Sequence, residues 1–250
     1  MSDYAIIVTC TVFAVAGFVQ GLSGFGFGIV AMAILPLALN DMQTAFSITA
    51  LNSLIIPILT FVRLRHAFKL ADALPMTIAA IGGALLGFAF ADYLIGETIF
   101  LRILGATLIV FAAADVILTS ALKTHMPKWM AWPCGLVGGF FGGAFNTGGP
   151  PMVAFCYSQP WTKHQIVATL QFAFLIATSA RVALMAGTGK YFDKQVLMLT
   201  LSTVIPIAIG IYFGGQLLAR IPLQKLRIGV FAIVVLLGLQ YLLFPNVGSR

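Results

Sequence analysis

The chain has 250 residues, of which 60% are hydrophobic and only 8% charged, with a mean hydropathy of +1.04. A soluble domain is about 45–50% apolar and about 25% charged, so charge here is too scarce to coat a surface facing water, which argues against soluble enzymes. The net charge of +7 does not imply nucleic acid, because basic residues in so apolar a chain first mark membrane topology. Cys10, Cys134 and Cys156 are widely spaced in apolar stretches, without the pairing or nearby histidines of a metal or redox motif, and read as packing residues. No cofactor is called for. Met1 to Ala5 holds no lysine or arginine, so the positive segment of a cleaved signal peptide is lacking and the first apolar stretch is expected to stay in the mature protein.

A membrane helix needs about 20 apolar residues. Long apolar runs with few or no charges occupy roughly residues 4–39, 44–62, 73–91, 98–118, 129–159, 165–187, 195–219 and 226–244, which makes eight blocks. Six have the length of one helix. The first would be a rod of about 54 Å against a hydrocarbon core of about 30 Å, and the fifth is also too long, so each must break or turn. Glycine clusters mark the places: Gly21-Leu22-Ser23-Gly24-Phe25-Gly26-Phe27-Gly28 in the first, and Gly138 through Gly149-Pro150-Pro151 in the fifth. Both blocks are predicted to run helix, turn, helix.

Gly17, Gly21 and Gly24 recur 118 residues later as Gly135, Gly139 and Gly142; Gly83 and Gly87 are echoed by Gly210 and Gly214, and Leu101-Arg102-Ile103 by Leu226-Arg227-Ile228. These ordered matches predict two repeats within one integral membrane domain, 1–121 and 122–250, each a helical hairpin plus three transmembrane helices, with up to ten crossings in all. Three crossings plus a hairpin that returns to its starting side make each repeat odd, so the repeats are inverted, as in many secondary transporters. With the N-terminus outside, nine loop lysines and arginines fall on the cytoplasmic side and three outside. An eight-crossing arrangement fits the charges almost as well, so the choice rests on block length.

A helix start inside an apolar block offers unpaired N–H groups and the positive end of a dipole, which suit an anion. The substrate-binding candidates around the two turns are Gln20, Ser23, Gly24 and Gly26 in the first, and Asn146, Thr147, Gly148 and Gly149 in the second. Asn52 and Gln171, midway along the following helices, are candidates for the same cavity. The competing reading is that the glycines only let helices approach closely and that the polar side chains cap freed backbone groups. Arg181 offers itself as an intramembrane anion receptor, but it maps onto Arg63 under the 118 shift, and the favoured reading is a helix end, where a charge is cheap. Asp115, near the far end of the fourth block, is a candidate carrier of a coupling proton, with a helix-end or hydrogen-bonded role the favoured reading. A homodimer stays open as a further partner.

Gly21-Leu22-Ser23-Gly24 also fits the GxSG pattern of rhomboid-like intramembrane serine proteases, but His66, His125 and His164 all fall in loops or at block edges, leaving Ser23 without an embedded base. A membrane assembly protein that moves nothing is a third reading, disfavoured by loops this short.

The Gly21–Gly28 turn followed by Pro36, Arg65-His66 with Asp72, the glycines of the third block, Gly105, the Gly138–Pro151 hairpin, and Gly187 with Tyr191 and Asp193 together resemble the TauE/SafE sulfite exporter family, the TSUP permeases. The resemblance covers nearly the whole chain. It implies a multi-pass permease of the bacterial inner membrane that moves sulfite, an organosulfonate or a related organosulfur anion by alternating access, and not an enzyme.

Overall fold

The computed structural model describes residues 3–121, 125–217 and 223–245. Among them the chain is all helical: α1 Asp3–Ser23, α2 Phe27–Leu39, α3 Met42–Leu64, α4 Leu70–Leu94, α5 Thr98–Ala121, α6 Ala131–Phe145, α7 Gly149–Ser158, α8 Lys163–Thr188, α9 Lys194–Leu217 and α10 Leu223–Leu243, with 3-10 turns at Arg65–Ala67 and Lys128–Met130. Among the described residues, five helices carry stretches long and apolar enough to cross a membrane: Tyr4–Leu22, Met42–Val62, Leu70–Leu94, Lys163–Thr188 and Lys194–Gln216. The eight apolar blocks thus become ten helices, because the first and fifth break as expected. The protein is an all-helical polytopic membrane protein.

The breaks are not placed by every glycine in the clusters. The first lies between Ser23 and Phe27, where Gly24 and Gly26 take φ of +78° and +99°, values that a side chain would strain. The second lies at Asn146, which takes the left-handed conformation at φ +58°. Gly138, Gly139, Gly142 and Gly143 stay helical within α6. Their lack of side chains is used for packing: a Cβ on Gly139 or Gly143 would strike the backbone of Ala80 or Ala84 in α4.

The helices form two compact units, each drawing on both halves of the sequence. Unit 1 comprises Met1–Asn52, Leu94–Ala113 and Lys190–Arg250; unit 2 comprises Ser53–Tyr93 and Ala114–Gly189. In unit 1, α1 packs along α9: Gly17 and Gly21 meet the backbone at Ile207 and Ile211, and Gly210 and Gly214 meet it at Ala14 and Phe18. Helix α10 closes on α2 through Tyr241, whose hydroxyl donates to the Ala33 carbonyl at 3.1 Å, and on α5 where Gly105 faces Gly238. In unit 2, α6 packs along α4 in the same way, with Gly139 and Gly143 against Ala80 and Ala84, and Gly83 and Gly87 against Leu136 and Phe140.

These two interfaces share one register. Residues 14, 17, 18 and 21 of α1 take the places of 136, 139, 140 and 143 in α6, a constant 122, while 80, 83, 84 and 87 of α4 take those of 207, 210, 211 and 214 in α9, a constant 127. The hairpin breaks obey the same 122: α1 ends at Ser23 and α6 at Phe145, and α2 begins at Phe27 and α7 at Gly149. The contacts therefore set the correspondence about one helical turn beyond the 118 that glycine spacing suggests.

Helices α6 and α7 have 15 and 10 residues, about 22 and 15 Å at 1.5 Å per residue, so neither leg spans a hydrocarbon core of about 30 Å. Their outer ends are tied together. The His125 Nδ1–H donates to the Ser158 carbonyl at 2.7 Å, and Gln159 Nε2 donates to the Met126 carbonyl at 2.9 Å. A carbonyl only accepts, so Nδ1 is the protonated ring nitrogen. The two outer ends of this hairpin therefore lie together.

Candidate functional site

The tip of each hairpin exposes helix-end backbone groups inside apolar surroundings, where unpaired polar atoms are costly. How each tip satisfies them distinguishes the two. At the first, Gln20 lies in the last turn of α1 and is buried at 7% exposure. Its Nε2 donates to the Gly24 carbonyl at 3.0 Å, and its Oε1 accepts from the Phe27 N–H, the first donor of α2, at 3.2 Å. One neutral amide thus bridges the break and fills a donor that an anion would otherwise use. Phe27 is further fixed by stacking on Phe13, with ring centroids 5.2 Å apart. Gly24 and Gly26 form the turn itself. The side chain of Ser23 lies outside the described residues, as does that of Asp115.

At the second tip, position 142 corresponds to Gln20 and is glycine. The α6 carbonyls there are met from another helix. Arg181 of α8, only 2% exposed, donates from Nη1 to the Gly142 carbonyl at 2.6 Å and to the Gly143 carbonyl at 3.5 Å. The Asn146 N–H also donates to Gly142. The Thr147 N–H donates to the Phe141 carbonyl at 3.2 Å, and its hydroxyl reaches the same oxygen at 3.5 Å; Thr147 is 2% exposed. Gly148 is packed against α6, since a Cβ would strike Gly138 and Gly142. Helix α7 opens Gly149-Pro150-Pro151, and the two prolines remove two N–H groups from its first turn, leaving the backbone of Gly148 and Gly149 as its donors.

Arg181 is the residue whose place departs most from the sequence reading. It was expected at a helix end. It instead continues the buried row Ala173, Ala177, Arg181 and Met185, well inside α8. The 118 shift carries it onto Arg63. The helix caps of α3 and α8, Asp41 and Thr162, give a shift of 121, which carries it onto Thr60 within α3. A cation on a row of small buried residues is the signal that could have located it. Its charge rests on the carbonyl end of a helix dipole, where cations are favoured.

Asn52 belongs to unit 1 and is fully buried. Its Nδ2 donates to the Ile48 carbonyl at 2.9 Å, and its Oδ1 accepts from the Thr203 hydroxyl of α9 at 3.1 Å. One N–H and the oxygen of that amide are thus engaged by protein, with the Thr203 proton shared with the Thr200 carbonyl at 2.7 Å. Gln171 belongs to unit 2 and is buried on α8 at 1% exposure. In the same unit Gln165 Nε2 donates to Asp72 Oδ2 at 2.9 Å, joining the first turns of α8 and α4.

A cleft of about 240 Å³ in unit 1 is lined by Asp41, Gln43, Ser47, Lys190 and Asp193, among others. Its two carboxylates act as helix caps: Thr44 N–H donates to Asp41 at 3.0 Å and Val196 N–H to Asp193 at 2.7 Å. Two acids with one lysine do not suit an anion.

The family model described as sulfite exporter TauE/SafE matches residues 9–241. A relative from Cupriavidus necator, named as a probable sulfite/organosulfonate exporter TauE, is 22% identical over 231 residues that cover 90% of this chain and 88% of the relative. No solved structure matches the chain. The broken apolar hairpins, the spanning helices and a family match over nearly the whole length lead to one conclusion: the chain belongs to the TauE/SafE sulfite exporter family and is a multi-pass membrane permease.

Proposed function

We propose that this permease carries a small sulfur oxyanion, sulfite or an organosulfonate, across the bacterial inner membrane as a secondary transporter working by alternating access, and that it has no catalytic activity of its own. The observation that carries this reading is the second hairpin tip. There α7 begins inside an apolar block, with Thr147 and Gly148 buried, the N–H groups of Gly148 and Gly149 as donors, and the positive end of the helix dipole at the same place. The name of the Cupriavidus relative supports the sulfur chemistry and the outward direction.

The first tip fits a ligand less well, because Gln20 already fills its leading donor. Asn52 fits less well for the same reason. The test is flux of radiolabelled sulfite, an alkyl sulfonate and thiosulfate in proteoliposomes, with and without a pH gradient. Saturable flux of at least one is expected, faster when a gradient is imposed. Flux of none under either condition overturns the reading.

A further inference from the structure

The two tips share their break positions and their helix packing but differ in what covers the carbonyl end of the first helix. At α1 the donor is Gln20, a neutral amide from the same helix that reaches the carbonyl of Gly24 just past the helix end, and residues 4–40 contain no lysine or arginine. In α6 the carbonyl end is covered by a guanidinium, brought by α8 and buried to 2% exposure.

The difference is electrostatic. A helix carries about half a negative charge at its carbonyl end and about half a positive charge at its amino end. In a hairpin tip these ends lie side by side, so an anion at the start of the second helix is repelled by the end of the first. An amide leaves that opposition in place. An arginine on the carbonyl oxygens cancels it and adds positive potential, an effect strengthened by surroundings of low dielectric. The need is greater at the second tip, where Pro150 and Pro151 have removed two donors. Placing a guanidinium inside an apolar helix is expensive, and residues placed so in membrane helices tend to serve function.

We propose that Arg181 is the positioning residue for the anion: by covering the α6 carbonyl end it makes the α6–α7 tip, and not the α1–α2 tip, the one that holds substrate. It acts through α6 and need not touch the substrate. This rests on the anion-transport reading above.

The test is concentration-dependent sulfite flux in proteoliposomes for the wild type, Arg181→Lys and Arg181→Gln, with thermal unfolding in detergent recorded for each. Charge on the carbonyl end predicts that Arg181→Gln raises KM by about tenfold or more with a much smaller fall in maximal rate, and that about tenfold more sulfite is needed to stabilise the folded protein to the same degree. Arg181→Lys keeps the charge and is expected to stay within about threefold of the wild-type KM. A merely structural arginine gives another pattern: KM unchanged in both variants, or raised equally in both, which overturns the proposal. If Arg181→Gln does not fold, the lysine variant decides, since an equal tenfold rise there shows that charge is not the operative property. Absence of flux in the wild type overturns the transport reading itself and this proposal with it; flux in the wild type with unaltered KM in Arg181→Gln overturns only the proposal.

Discussion

The hairpins α1–α2 and α6–α7 are cut at corresponding residues and wedged against their partner helices through corresponding glycines, yet one tip is stitched by its own glutamine and the other is clamped by an arginine from α8. The shared part is set by backbone: a helix can approach another this closely only where side chains are absent, and that requirement is the same in both units. The differing part is set by one side chain at each tip. A packing pattern common to both units therefore leaves room for different chemistry, because satisfying the carbonyl end of a broken helix takes only a donor, and a neutral donor does it as well as a charged one.

The most severe way to probe the shared part is to fill a notch. Gly143→Leu in unit 2 and Gly21→Leu in unit 1 each drive a side chain into partner backbone, at Ala84 and Ile211 respectively. Backbone cannot move aside as a flexible side chain does, so the cost is expected at or above the roughly 3 kcal/mol upper end for over-packing. Yield of monodisperse protein in detergent and the unfolding midpoint measure it. Both variants should suffer alike; a tolerated leucine at either position means that the two interfaces are not equivalent.

Much of this framework is legible in the sequence. The ten helices follow from eight apolar blocks because membrane solvation depends on composition and length alone, and the two over-long blocks betray their breaks by arithmetic. Which glycines break a helix and which pack it is not legible locally. Gly139 and Gly143 differ from Gly24 only in having α4 beside them, and the actual break at Asn146 uses a residue with a side chain. The same blindness hid Arg181. Its expected place came from a glycine shift of 118, about one turn short of the spacing that the helix contacts show. Of the candidate site residues, Gln20, Asn52 and Thr147 do lie at polar positions inside the apolar interior, as their chemistry in such blocks requires. Their amide and hydroxyl groups are engaged with backbone or with Thr203, a pairing that sequence spacing does not encode.

A milder substitution separates the tips. Gln20→Leu leaves the Phe27 N–H and the Gly24 carbonyl without their shared partner in a buried turn, and a buried polar group left unsatisfied costs about 1–3 kcal/mol. The corresponding change at the second tip, Gly142→Ala, adds a Cβ whose nearest neighbour is Gly148 Cα at 3.5 Å, an ordinary contact. It should be neutral or stabilise by up to about 1 kcal/mol, through the helix preference of alanine over glycine. Thermal unfolding in one detergent compares the pair. Equal losses in both would mean that the second tip is packed more tightly than its contacts indicate.

The smallest expected effect lies at the helices that follow the hairpins. In unit 1, Asn52 of α3 and Thr203 of α9 form a hydrogen bond at 3.1 Å, whereas shifts of 121 and 127 place Ala173 and Met76 at the matching positions of unit 2, both fully buried. One unit thus holds polar side chains where the other holds apolar ones. A double-mutant cycle with Asn52→Ala and Thr203→Val isolates their coupling, expected near 0.6 kcal/mol and not above about 1.7, since a chain unfolded within the membrane also finds partners for its polar groups. The same variants weigh the remaining role proposed for Asn52. With both ends of its amide engaged by protein, Asn52→Ala should alter the KM for sulfite less than Arg181→Gln does. A rise as large as that of the arginine variant, together with negligible coupling to Thr203, would mean that Asn52 exchanges its internal partner for substrate.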